Sequence, residues 1–326
     1  MSLSVMQVFN GYIMPLVTEM FPQEVEKFNA ASNNTIVLTG EGFDGSHFEQ
    51  SFYNALHSNK RRVDRFAANG VVAPVDITQG KHATVKVAGG FGPLQFEPGQ
   101  MSWLRKPTQE GLTVAATYFV EALIADQLNT AILALVAAIS NVAALVNDVS
   151  ATAPVSQTAI NDTLAKFGDA SQNIQALIMT GNSYHKLVGQ AIDNSNNLFE
   201  IGGIAVKTGT TFGQGRPIIV TDAPALRVAG APNKQHVLGL VAGAITVSDN
   251  ADVITNVETK NGNERIVTTF QADYTFGLNM KGFTWDTVNG GQSPDDTDIG
   301  TGSNWDQVAD SIKHTAGVVL IGDEAL

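Results

Sequence analysis

The stretch from Thr108 to Asn147, TQEGLTVAATYFVEALIADQLNTAILALVAAISNVAALVN, determines the fold. It contains no proline, and Thr108 and Glu110 suit the capped, dipole-favoured start of a helix. Apolar residues recur every third or fourth position and form one stripe, which predicts a single long helix over 108–147. The stripe consists of Val120, Ile124, Leu128, Ile132, Leu135, Ile139, Val142 and Val146. Residues 127–147 carry no charge, but their polar side chains and many alanines argue against a membrane span.

Downstream of Ala151 the pattern changes to alternating helices and strands. Ser156 or Thr158 opens a predicted helix that Gly168 ends, and Ser183 is a suitable cap for the next helix. We expect the first helix to end at 167 and the second to run from 184 to 192. We expect strands at 174–180, 204–207, 216–221 and 236–241.

A long β-hairpin follows, with Asn261-Gly262 as its turn between 253–260 and a return strand that begins at Glu264. Alternation on the return strand predicts one buried face, formed by Ile266, Thr268, Phe270, Ala272, Tyr274, Phe276, Leu278 and Met280. After it, the sequence predicts an acidic loop at 286–303, a short helix from Trp305 to His314 and a strand from Gly317 to Gly322.

The part of the sequence that precedes the long helix has weaker local signals for secondary structure. Residues 8–29 have helical spacing in pieces, interrupted by Pro15 and Pro22, and read as an apolar arm. Residues 71–77 and 82–87 predict a hairpin with a four-residue loop at 78–81, followed by irregular chain. Because an isolated two-stranded projection is marginally stable, we expect it to need another surface, such as a neighbouring subunit.

Charge is unevenly distributed along the 326 residues, whose net charge is −12 and of which 15% are charged. That fraction is below the roughly 25% of ordinary soluble domains, which suggests surface hidden against partners. Residues 1–59 hold one basic and six acidic groups. Residues 60–106 hold eight basic and three acidic groups, and residues 107–326 hold ten basic and 22 acidic groups. The basic residues of the middle segment are predicted to contact an acidic surface of an adjacent copy. They are Lys60, Arg61, Arg62, Arg65, Lys81, Lys86, Arg105 and Lys106.

The sequence offers little chemistry. It has no cysteine, which excludes disulfides and thiolate metal sites, and its six histidines lack ligand spacing and read as scattered surface or loop residues. The run from Asp295 to Gly300 resembles a calcium loop, but Gln307 occupies the bidentate position, so a solvated acidic loop is favoured. A nucleic-acid role for Lys60, Arg61, Arg62 and Arg65 stays open, although an acidic chain is atypical of such binders. We expect no cofactor, no metal and no enzymatic activity.

The order of these elements resembles the major capsid proteins of tailed bacteriophages, which have the Hong Kong 97-type fold of the α+β class. Three passages carry the local likeness: IQALIMTGNSYHKLVGQAI (174–192), GIAVKTGTTFGQGRPIIVTDAPAL (203–226) and ETKNGNERIVTTFQADYTFGLNMKGFTW (258–285). The resemblance implies an N-terminal arm at 1–49, an extended β-hairpin loop at 50–107, and a peripheral domain at 108–150 and 245–290 with the long helix as its spine. Residues 151–244 and 291–326 would form the axial domain.

The resemblance also implies a function. The chain would self-assemble as hexamers and pentamers into an icosahedral shell that encloses a double-stranded DNA genome. Implied partners are a scaffolding protein, a portal, a decoration protein and the packaged DNA, bound non-specifically, with no membrane. The expected location is the virion, and the host cytoplasm during assembly. The alternatives are an encapsulin-like cargo shell, another phage structural protein and, less favoured, an α/β enzyme, which would need a pocket of convergent titratable groups.

Overall fold

The computed structural model describes residues 21–26, 28–30, 32–45, 47–53, 62–68, 70–72, 79–96, 109–193, 216–230, 232–250, 252–262, 264 and 266–325. Residues 21–26 and 28–30 are helical. The longer helices are α1 (Gln109–Ser140), α2 (Gln157–Ala165), α3 (Gly181–Asp193) and α4 (Asp296–Ile299). The strands of the first half are β1 (Ile36–Thr39), β2 (His47–Tyr53), β3 (Gln79–Phe96), β4 (Val146–Asp148) and β5 (Ile174–Met179). Those of the second half are β6 (Ile218–Val220), β7 (Arg227–Val228), β8 (Lys234–Val241), β9 (Ile245–Asp249), β10 (Ile254–Lys260), β11 (Val267–Met280), β12 (Phe283–Trp285), β13 (Trp305–Gln307) and β14 (Gly317–Asp323).

The long helix α1 packs against both large sheets, contacting β9 and β11 of one and β14 of the other. Its second half is buried almost all round, with Leu135 and Ile139 fully inaccessible. Thr117–Ser140 is long and apolar enough to cross a bilayer, but most of it is buried inside this protein. The helix ends at Ser140, so the prediction that it continues to 147 was wrong. The chain turns there because β4 pairs in parallel with β14, at Val146↔Val319.

In the described part of the chain, the first large sheet has the order β1-β9-β11-β3-β2, and β10 extends it by pairing with β11. The predicted hairpin is confirmed, with Lys260 opposite Val267, but its return strand begins at Val267 and not at Glu264. The predicted buried face is confirmed from Ala272 to Met280. At the turn end the predicted face is wrong, because Ile266 is 55% exposed while the adjacent Val267 is only 8% exposed. The side chains of Thr268 and Phe270 lie outside the described part.

The predicted hairpin at 71–87 is wrong. Gln79–Phe96 is one strand of 18 residues, and its partners are β2, at Gln50↔His82, and β11, at Phe276↔Val87. The local turn preference at 78–81 is weaker than the backbone hydrogen bonding of this segment to two strands that are distant in sequence. Residues 79–96 therefore find their pairing surface in their own chain. Gly89 fits this strand because the Tyr274 ring lies beside it, and an added Cβ would come within 2.8 Å of that ring.

The second large sheet has the order β4-β14-β8-β5-β6 over the described residues, with β7 also paired to β8. Ser156 caps α2 as predicted, accepting a hydrogen bond from the amide of Ala159 at 3.1 Å. Helix α3 begins at Gly181, earlier than predicted, and Ser183 is buried between Thr180 and Gln235. The predicted strands at 174–180, 216–221 and 236–241 correspond to β5, β6 and β8, and that at 204–207 lies outside the described residues.

The secondary structure of residues 305–314 differs from the predicted helix. Residues 305–314 are not a helix: Trp305–Gln307 forms β13, which pairs with β12, and Ile312–His314 is a single 3-10 turn. Trp285 and Trp305 pack edge to face with ring centroids 4.8 Å apart. Burying that aromatic pair outweighs local helical preference. The predicted strand at 317–322 is confirmed as β14.

Candidate assembly surface

Residues 62–68 and 70–72, here called the basic loop, are exposed throughout. Phe66 and Val71 have relative exposures of 101% and 102%, so neither packs against any part of the chain that the structure describes. Asp64 folds the loop locally by accepting the amide of Phe66 at 2.9 Å. Large apolar side chains in this state are typical of a surface that is covered by a partner.

The predicted basic contact residues fall into three groups. Arg62 and Arg65 lie exposed in the basic loop and form no ion pair with a carboxylate among the described residues. Lys81 and Lys86 lie in β3 and have partners in their own chain. Lys60, Arg61, Arg105 and Lys106 lie outside the described residues.

The two β3 lysines differ in surroundings. Lys81 Nζ lies 3.4 Å from Glu49 Oε2 in an exposed pair, which contributes at most about 1 kcal/mol. Lys86 Nζ donates a hydrogen bond to the backbone carbonyl oxygen of Phe43 at 2.6 Å. It also lies 5.1 Å from the centroid of the Phe43 ring. Lys86 thus fixes the 41–45 segment against the sheet.

The projecting ends of β3, β10 and β11 form a second exposed region, here called the distal ribbon (89–96, 254–260 and 266–273). Leu94, Ile254 and Ile266 are 60%, 69% and 55% exposed on it. Leu94 lies opposite Phe270, on the face that continues toward α1. The ribbon therefore carries apolar side chains beyond the point where its own core ends.

An aromatic cluster sets the position of the ribbon on α1. Phe91 of β3 packs on Phe119 of α1 and on Tyr274 of β11, with centroids 5.6 and 5.4 Å apart. The Tyr274 hydroxyl donates to Asp126 Oδ2 at 2.5 Å. Burial, with the adjacent Asp126 carboxylate, raises the pKa of Tyr274, so the phenol stays protonated and remains a donor.

A concave site lies at the other end of the first sheet, where the helical residues 21–26 and 28–30 meet β1. This N-terminal cleft encloses about 470 Å³. Asn29 holds its walls together, donating to the Leu38 carbonyl at 2.8 Å and accepting the Leu38 amide at 2.9 Å. The cleft is lined by Phe21, Pro22, Val25, Glu26, Asn29, Ala30, Asn34, Leu38, Thr39 and Gly40.

Other polar clusters have structural explanations. Within the described ranges, no group of three or more His, Asp or Glu is arranged to hold a metal ion. Asp295 and Asp298 form a capping box that starts α4, which accounts for the calcium-like run. His236 is buried in β8, contrary to the expectation of surface histidines. Desolvation lowers its pKa although its Nδ1 lies 3.2 Å from the Ala225 oxygen.

Sequence reasoning located the basic segment but missed two features of this surface. It did not single out Phe66, although the alternation of arginine with apolar residues in RRVDRF (61–66) is the available signal. It also missed the N-terminal cleft, whose lining residues all lie between 21 and 40 and are held together by the Asn29–Leu38 hydrogen bonds, which no sequence pattern signals.

Comparisons with known proteins agree with this architecture. A family model described as major capsid protein 13-like matches residues 5–319. The capsid asymmetric unit of cyanophage Pam1 is 12% identical and superimposes with a TM-score of 0.50, covering 89% of this chain and 88% of that chain. The head of Helicobacter pylori bacteriophage KHP40 is 9% identical with a TM-score of 0.48, covering 89% and 88%. The capsid of Myoviridae phage XM1 is 13% identical with a TM-score of 0.44, covering 89% and 90%. No curated protein matches the chain by sequence.

The family match and the fold lead to one conclusion. The match spans almost the whole chain, and the α+β arrangement of a long helix between two sheets is shared with the Pam1 capsid subunit. The exposed apolar loop and ribbon are what a subunit needs if its copies cover one another. The chain belongs to the major capsid protein 13-like family, so it is a major capsid protein, and it has the Hong Kong 97-type fold.

Proposed function

We propose that copies of this chain assemble as hexamers and pentamers into an icosahedral shell around a double-stranded DNA genome. The observation that carries the proposal is the basic loop, whose Phe66 and Val71 are not covered by any of the residues that the structure describes. Contact with a neighbouring subunit would remove this apolar area from water, which is the main favourable term in protein association. Arg62 and Arg65 would then meet carboxylates of that neighbour.

The two sheets suggest how the subunit is divided. We propose that α1 with the first sheet forms the peripheral domain and that the second sheet forms the axial domain around the symmetry axes. The segment that precedes α1 would supply the arm and the extended loop. In this scheme the long helix is the common support of both domains, consistent with its contacts to β9, β11 and β14.

The proposed partners follow from assembly and from charge. A scaffolding protein, a portal and a decoration protein would act during assembly in the host cytoplasm and in the finished particle. The net charge of −12 favours weak, non-specific contact with packaged DNA, since the phosphate-neutralising term is small. The match to a family of major capsid proteins supports a structural, non-enzymatic role.

Electron microscopy of the purified protein, alone and after co-expression with a scaffolding protein from the same genome, tests the proposal. We expect closed shells of uniform diameter with five- and sixfold clusters. Nuclease-resistant DNA in shells from infected cells would distinguish a genome container from a cargo shell. Subunits that stay monomeric under all conditions would overturn the proposal.

A further inference from the structure

We propose that the basic loop of one copy inserts Phe66 into the N-terminal cleft of a neighbouring copy. The inference rests on the proposed shell, because it needs copies packed side by side. It goes further by naming the two surfaces that meet. In the single chain the two are not joined, since Phe66 is 101% exposed while the cleft is open.

The chemistry of the cleft suits an aromatic side chain. Its floor is formed by Phe21, Val25 and Leu38, and a volume of about 470 Å³ lies within the range of pockets that enclose small organic groups. The Asn29 hydrogen bonds to both backbone groups of Leu38 keep the walls in place. A preformed hole of this kind lowers the ordering cost of docking, so most of that cost falls on the loop.

Charge favours this pairing. The cleft belongs to residues 1–59, which hold one basic and six acidic groups, whereas the loop belongs to residues 60–106, with eight and three. At the cleft itself, Glu26 is exposed on the wall and Glu41 is exposed next to Gly40. Arg62 and Arg65 precede Phe66 in the loop and have no carboxylate partner among the described residues. Opposite charges around an apolar insertion fix its orientation and exclude wrong registers.

The geometry of exchange suits a shell. Each copy presents Phe66 and the N-terminal cleft on different surfaces, so the contact is heterologous. Contacts of this kind close into rings when the rotation between neighbouring copies permits. The distal ribbon is the competing acceptor for the loop. Its Leu94 and Ile254 lie on strands and Ile266 lies just before β11, and all three are more than half exposed, so they are less suited to enclose a single ring.

Cysteine pairing in a chain that has no native cysteine tests the contact directly. Phe66→Cys is combined with Ala30→Cys on the cleft wall, and shells assembled under reducing conditions are then oxidised. We expect non-reducing gels to show dimers and higher multimers that a reductant removes. Phe66→Cys with Val288→Cys, at a position 87% exposed outside the cleft, is the matched control and should stay monomeric.

Two outcomes would overturn the inference. One is efficient crosslinking of Phe66→Cys to Ile266→Cys with none to Ala30→Cys, which would place the loop on the distal ribbon. The other is a cryo-EM map of the unmodified shell in which the cleft is empty or filled by a different segment. The map also decides the question if the cysteine variants do not assemble. Failure of the unmodified chain to form shells would instead count against the proposed function.

Discussion

At the scale of single residues, the bond between Tyr274 and Asp126 is the most specific polar link between the long helix and the first sheet. The ring is 2% exposed, and its hydroxyl lies 2.5 Å from the carboxylate. Tyr274→Phe keeps the ring and leaves the half-buried carboxylate without this donor. We expect the free energy of unfolding to fall by roughly 1–3 kcal/mol in denaturant titrations.

Tyr118→Phe is the matched control, since that tyrosine is 67% exposed on the same helix. It should change the free energy of unfolding by less than about 0.5 kcal/mol. A double-mutant cycle with Asp126→Asn then isolates the pair. A coupling of zero would show that the hydroxyl and the carboxylate contribute independently.

Asp148 predicts how stability depends on pH. Desolvation opposes its charge, but hydrogen bonds from the Ser150 amide and hydroxyl, at 2.9 and 2.6 Å, and the Lys234 ammonium at 3.4 Å together lower its pKa. A carboxyl with a lowered folded-state pKa stabilises the fold above its ordinary pKa of 3.8, and the contribution is lost as pH falls through the folded value.

The expected result is that Asp148→Asn destabilises the subunit at pH 7 and that the difference from wild type shrinks below pH about 4. Unfolding titrations at both ends of this range measure it. Asp306→Asn, at an exposed position in β13, controls for the loss of one negative charge. A difference that is constant with pH would contradict the role given to the Asp148 hydrogen bonds.

At the scale of elements, the helix and the long hairpin could be predicted because their signals are local. The stripe on α1 and the Asn261-Gly262 turn act over a few residues. Only residues 82–87 of the strand β3 could be predicted, because its partners β2 and β11 are distant in sequence and the glycine-rich part at 88–96 gives no strand signal. Likewise, Trp305 lies in β13 because it packs on Trp285, a contact that the local sequence around 305 does not reveal. At the candidate surface, charge located Arg62 and Arg65, but only the fold showed that Lys81 and Lys86 have partners in their own chain.

Hydrogen exchange separates the basic loop from its supports. In free subunits the amides of 62–72 should exchange nearly as fast as in an unfolded chain, whereas those around Ile132 in α1 and Val85 in β3 stay protected. In shells the loop amides should slow by orders of magnitude, because a neighbour covers them. Equal exchange in both states would show that the loop stays exposed after assembly.

At the scale of the whole molecule, opposite charge along the chain should govern association more than folding. Charge reversal of Arg61 and Arg62 to Glu should block shell assembly and leave the subunit's melting temperature unchanged. Exposed pairs contribute at most about 1 kcal/mol each, but a shell repeats them in every subunit. Sedimentation separates shells from free subunits.

Lys281→Glu with Lys313→Glu is the control for two charge reversals at exposed sites outside the basic segment. That variant should assemble. Normal shells from the Arg61, Arg62 variant would contradict the proposed electrostatic contact, and loss of its folded state would show that the arginines act within the subunit instead.

The placement of β14 has a consequence for biosynthesis. Residues 317–323 form an inner strand, with β8 on one side and β4 on the other, so the second sheet has no continuous ladder before residue 323 has left the ribosome. Pairing of Val146 with Val319 is a contact of high sequence separation, and such topologies fold slowly. A nascent chain that is shorter than 323 residues therefore lacks the completed second sheet, and we expect it not to present the finished surface of a subunit.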